Sequence, residues 1–357
     1  MGEPARLADA PTAEGGPIDW DTARATARRL VRPGPAMPRS EAAATVQRLR
    51  EHAVTAEDHV RDLTGLDDGS SPRPADVVDR PGWIDAAAGG LQVMLSGLPT
   101  PGRNPVGRFT AQTAGVQAGA ALAFLGSRVL GQYDPFGGPA ESPGRLLLVA
   151  PNVVTVQRAL HVPAEEFEMW VCLHESTHRL QFNAVPWLRE HFASEVATFL
   201  SVAENPEALT GMLGRLPEAL RTARRDGVRD SVGLLALLQT PEQRAVMDRL
   251  LALATLLEGH ADHVMDAVGP AVVPSVETIR RKFTARRQGG GLGDRIVRAV
   301  LGLDAKLRQY AEGAAFTRHV VGTAGMDGFN AVWTSPETLP SRAEITAPEA
   351  WLRRVHG

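Results

Sequence analysis

Apolar residues along this chain recur mainly at helical spacing, and strand-like alternation is scarce. From Asp19 onward helical patterns dominate. Ser40-Glu41 opens a run in which Val46, Leu49, Ala53, Val60 and Leu63 keep one face apolar. Asp67 to Pro74, rich in Asp, Gly, Ser and Pro, reads as a loop. Helices are expected at about 75–97 and 110–131, separated by the turn-rich residues Gly97 to Pro105. Gly131 to Gly144 reads as another loop. The strand candidate Arg145–Ala150 follows, short, apolar and closed by Pro151-Asn152.

The pattern then returns to helix. Pro163 fits the first helical position, and Glu165 and Glu166 suit the positive N-terminal end of a helix running to about Asn183. Pro186 stops it, and Trp187 to Ala203 forms the next, with Leu188, Phe192, Val196, Phe199 and Leu200 as its apolar positions. Further helices are expected at about 206–225 and 229–239. Thr240-Pro241-Glu242-Gln243 is the clearest start signal, a capping threonine with proline behind it. Val246, Leu250, Leu253, Leu257, Ala261, Val264 and Val268 then trace one buried face to Gly269, and helices near 274–287 and 304–321 follow. The expectation is a mainly α protein with one or two short strands. Residues 1–16, small, polar and acidic, read as a disordered tail without the pattern of a secretory signal. Residues 17–355 read as one domain, a helical part at 17–140 and a second part at 141–355.

Composition narrows the function classes. Hydrophobic residues make up 43 % and charged residues 22 %, the balance of a soluble globular protein. A formal charge of -3 supplies no electrostatic reason to expect nucleic acid or an anionic membrane as partner. Ala114 to Gly131 is apolar but contains Gln117, Ser127 and Arg128 among Ala and Gly, which suits a packed helix better than a membrane span. A cytoplasmic location is expected. The single cysteine, Cys172, excludes an intrachain disulfide and reads as a buried structural thiol.

The chemistry concentrates at His174-Glu175-Ser176-Thr177-His178, an HExxH pentapeptide inside the helix expected at 163–183. Residues four apart on a helix differ by about 40° in azimuth, so both imidazoles point the same way. Two nitrogen ligands for one Zn²⁺ result, with Glu175 beside them to deprotonate a metal-activated water. The long HExxH pattern ending in a third histidine would need Gly at 181 and His at 184; the chain has Gln181 and Ala184. A carboxylate from a later helix is therefore sought. Glu195 lies at an ordinary spacing for this. Glu258 is favoured, because the apolar run Leu250 to Leu257 before it argues for burial, and a buried carboxylate needs a strong partner such as a metal. Asp262, one turn on, would orient a ligand histidine through its other ring nitrogen. Tyr310, His260 and His263 are candidates to stabilise an oxyanion, with Arg318 and His319 behind them.

Leu173-His-Glu-Ser-Thr-His178-Arg-Leu-Gln-Phe, Leu257-Glu-Gly-His-Ala-Asp-His263 and Leu303-Asp-Ala-Lys-Leu-Arg-Gln-Tyr310-Ala-Glu-Gly together resemble a bacterial zincin-like family. Its members are labelled zinc-dependent metalloproteases or proteins associated with deazaflavin-coenzyme biosynthesis. Gly131–Phe136 and Leu148–Asn152 fit as well. The resemblance implies a zincin-like metallopeptidase fold, with His174, His178 and Glu258 at the metal positions and Glu175 at the catalytic one. The expected activity is zinc-dependent hydrolysis of an amide bond in a peptide. Two alternatives stay open: hydrolysis of a small amide or other metabolite, and a zincin fold serving only for binding or structure.

Overall fold

The computed structural model describes residues 17–95, 105–138, 144–203, 241–288 and 303–357. In chain order the elements are α1 (Trp20–Leu30), α2 (Arg39–Thr64), β1 (Asp76–Val78), α3 (Arg80–Met94), α4 (Pro105–Gly126), β2 (Gly131–Asp134) and β3 (Arg145–Val149). There follow α5 (Ala150–Leu160), α6 (Ala164–Asn183), α7 (Leu188–Ala203), α8 (Pro241–Ala267), α9 (Val276–Gln288) and α10 (Leu303–Phe329). Two 3₁₀ turns, Asn330–Trp333 and Pro336–Thr338, lead to α11 (Arg342–Thr346) and α12 (Pro348–His356). The protein is mainly helical, as its periodicity requires. The expected tail at 1–16 and helices at 206–225 and 229–239 lie outside the described residues, as does Thr240.

The chain divides into two compact units: the segments up to Pro33 and Arg80–Arg128, and the segments Gly34–Asp79 and Val129–Gly357. In the first unit α1, α3 and α4 pack together. Asp19 caps α1 by accepting from the Thr22 N–H at 3.0 Å, and Arg80 donates to the carbonyls of Arg32 and Pro33. The helix expected at 75–97 is shorter, because Asp76–Val78 joins a sheet and α3 starts only at Arg80. The helix expected at 110–131 runs instead from Pro105 to Gly126. Among the described residues no helix is long and apolar enough to cross a membrane.

The second unit holds a three-stranded sheet in the order β1-β3-β2, with β1 parallel and β2 antiparallel to β3. Val77 pairs with Leu148, and Tyr133 with Leu146. Leu146, Leu147, Leu148 and Val149 are all buried, so the central strand reads as a continuous apolar run rather than an alternation. Strands β1 and β2 were illegible in sequence. Both are short, and β2 falls in a stretch rich in Gly, Asp and Pro that reads as loop.

Helix α6 is the hub of this unit, with Phe167, Trp170, Leu173 and Leu180 in its apolar core. Its two polar faces meet different helices. Cys172, Ser176 and Arg179 point to α2, where they touch the Leu49 carbonyl, the Ala53 carbonyl and the Glu57 carboxylate in turn. His174, His178 and Gln181 point to α8. Removing Glu57 would leave the buried Arg179 guanidinium without a carboxylate partner, a loss of about 3–5 kcal/mol.

Candidate metal centre

The pentapeptide lies in the middle of α6, where i and i+4 place both imidazoles on the α8 face. Pro163 stands just before the helix, and Glu166 in its first turn accepts from the Ser275 N–H at 2.6 Å. Helix α8 supplies Glu258. Among the described residues His174, His178 and Glu258 form a group whose ligand atoms all lie within 4.8 Å of one another. The His174 and His178 Nε2 atoms are 3.2 Å apart; Glu258 Oε2 is 3.5 Å from the first and Oε1 3.9 Å from the second. Zinc–nitrogen and zinc–oxygen bonds of about 2.0–2.2 Å, arranged tetrahedrally, separate neighbouring ligand atoms by about 3.3 Å. The donor set and its spacing fit that ion. The three side chains keep 22 %, 13 % and 30 % of their exposure, so the group is partly open to solvent.

Burial works on these groups against their neighbours. It pulls His174 down, but the Glu258 hydrogen bond and charge, helped by Glu175 and Asp262, overcome this and hold the imidazole up at about 9. His178 is lowered, by burial first and the charge of His174 second. Glu175 is pushed up to about 7 by burial, with His174 pulling the other way and Glu258 adding to the rise. Its carboxylate lies against Gly131, where an added Cβ would stand 2.6 Å from Glu175 Cγ and 2.8 Å from Oε1. Only glycine lets β2 run this close to the glutamate.

The remaining sequence candidates are placed as follows. Glu195 pairs with Arg249 at 2.9 Å and is not in the donor group. Asp262 is held by Arg280 at 3.2 Å; no hydrogen bond joins it to either imidazole, and it acts on them through its charge. His260 is fully buried against Phe329 and Trp333, turned to Gln181 rather than to the donor group. His263 is lowered by burial and then by Arg318, which is itself exposed. His319 accepts or donates at Glu349 on the surface, 2.7 Å away. The Tyr310 side chain lies outside the described residues.

Three contacts at the site went unread in the sequence. The outer nitrogen of His178 meets Gln181 Oε1 at 2.9 Å, and that of His174 meets Met265 Sδ at 3.2 Å. The third is a glycine crossing. Gly259 of α8, next to Glu258, faces Gly313 of α10 so closely that a Cβ on either would collide with backbone of the other helix. A buried glutamine in an apolar helix, three residues past a ligand histidine, was the available signal for the first. Nothing in sequence pairs Gly259 with Gly313.

Two comparisons bear on this arrangement. A crystal structure from Chloroflexus aurantiacus, described as a candidate hydrolase with a novel fold, is similar at 31 % identity and a TM-score of 0.67, covering 94 % of this chain and 98 % of that one. None of the curated proteins compared matches the chain. The family model for zincin-like metallopeptidases matches residues 18–352, nearly the whole length and both helices that carry the donor group. With that match over an HExxH helix and a distant glutamate, the chain belongs to the zincin-like metallopeptidase family.

Proposed function

We propose that this protein is a zinc-dependent peptidase that hydrolyses an amide bond with Glu175 as general base. The observation that carries the reading is the spacing of His174, His178 and Glu258 around one point, with the Glu175 carboxylate beside them. These three residues would hold the ion through two imidazole nitrogens and a carboxylate oxygen. Zinc held there would supply a Lewis acid that makes the attacking water easier to deprotonate. Glu175 takes the proton of the attacking water and returns it to the leaving amine. Partly open ligands admit substrate from solvent. Strand β2 is one of the two edge strands of the described sheet and touches Glu175 at Gly131, so an extended peptide laid along it would bring a carbonyl past the carboxylate.

The test pairs metal analysis with turnover. Wild type is expected to carry about one zinc per chain, and His174→Ala and Glu258→Ala are expected to lose it. On a peptide library wild type should cleave, and Glu175→Gln should keep its zinc while losing 10²–10⁴-fold in rate. Retention of zinc by Glu258→Ala would move the third ligand elsewhere. Cleavage of small amides without any peptide would shift the substrate class to a metabolite. Zinc without turnover of either would leave a binding or structural role.

A further inference from the structure

His178 turns its Nε2 toward the donor group, so as a neutral ligand it needs its ring proton on Nδ1. That Nδ1 lies 2.9 Å from Gln181 Oε1. The two ends of an amide look alike, and their partners decide which is which. The other end of Gln181 stands 3.0 Å from the Leu257 carbonyl, which only accepts, so that end is the NH₂ group. The amide oxygen then faces His178, and only an Nδ1–H can meet it. The remaining N–H of Gln181 points at His260 Nδ1, 3.0 Å away, which accepts it. Gln181 and His260 are both fully buried, so water does not compete for these bonds.

We infer that Gln181 is a positioning residue of the metal site: it locks His178 in the Nδ1–H tautomer and ties the backbone just before Glu258 to the helix that carries both histidines. One side chain thereby sets the direction of one ligand and the register of another. His174 has no comparable anchor, because the Met265 thioether at its Nδ1 is a weak acceptor. Without Gln181, neither imidazole keeps a strong acceptor at its Nδ1. The chain of bonds ends at His260, which holds the amide in place from the far side.

The inference deepens the zinc reading, and its test separates the two. Long-range ¹H–¹⁵N correlation spectra of the metal-free wild type at pH 8 should show His178 protonated on Nδ1. A proton on Nε2 there overturns the inference, whether or not the protein uses zinc. Gln181→Met should bind zinc 10–100-fold more weakly in chelator competition and release the tautomer. Gln181→Glu, which keeps an acceptor for His178, should keep the tautomer while weakening zinc binding through the lost Leu257 contact. A merely structural glutamine would instead lower the melting temperature of the metal-free variants and leave zinc affinity unchanged, and that result also overturns it. If Gln181→Met does not fold, the wild-type tautomer decides. A wild type that binds no zinc removes the peptidase reading and leaves the tautomer measurement standing.

Discussion

His260 shows how a single buried ring reports on its surroundings. Burial first, then the charges of His263 and His178, press its pKa down to about 3, so the folded protein keeps it neutral. The unfolded chain protonates it near pH ~6.5. Below that pH the unfolded state binds a proton that the native state refuses, so stability falls as pH falls, by about 1.4 kcal/mol per pH unit until about 3. Urea unfolding of the metal-free protein from pH 7 to 4 should therefore show a shallower acid loss for His260→Leu than for wild type; parallel curves would refute the assignment. Cys172 offers a second probe. It is fully buried, and burial followed by the charges of Glu168 and Glu175 pushes its thiol well above the ordinary range. Native protein at pH 8 should resist a thiol reagent such as DTNB, and denaturant should release one reactive thiol per chain. Fast labelling of the native state would contradict the packing of α6 on α2.

Helix α6 joins two interfaces of different chemistry. On α2 it makes a ladder of backbone and ionic contacts through Cys172, Ser176 and Arg179; toward α8 it presents the two histidines of the donor group. The placement of Glu258 is then set by how α8 sits, and α8 is held by the crossing of Gly259 with Gly313. Gly259→Ala puts a methyl group into the Gly313 backbone, and helices cannot part without moving Glu258. The expected cost is about 1–3 kcal/mol from overpacking, read from urea unfolding, together with a loss of zinc affinity in chelator competition. Gly322, around whose Cβ position the structure is open, supplies the control: Gly322→Ala should leave zinc affinity unchanged. Equal affinities for Gly259→Ala and wild type would show that the crossing does not govern the ligand.

For the whole molecule, a metal held by the proposed donor group would join α6 to α8 and link binding to folding. An ion that binds only the native state stabilises it by RT ln(1 + [L]/Kd), about 2.7 kcal/mol at a hundredfold excess over Kd. Zinc should raise the melting temperature of wild type and not of His174→Ala. It should do the same for Glu195→Gln as for wild type, because Glu195 is engaged with Arg249. A zinc response that survives in His174→Ala and vanishes in Glu195→Gln would place the ion elsewhere in the fold.

Much of this was readable along the chain. Helical periodicity announced the helical class and HExxH two imidazoles on one face; the apolar run before Glu258 argued for a buried carboxylate, whereas the side chain is only half-buried. Those are properties of local spacing, and a helix converts spacing into direction by its fixed turn angle. The short strand β2 was lost because four residues with a glycine and an aspartate carry no alternation, and only pairing with β3 makes them a strand. The neighbours of the site were beyond reach for a related reason. Asp262 had the right spacing to orient a histidine, yet Arg280 claims it and Gln181 takes that part beside His178. Which side chains meet across two helices depends on the angle and depth at which those helices cross. Here a pair of glycines far apart in the chain sets that depth, and no stretch of sequence contains both.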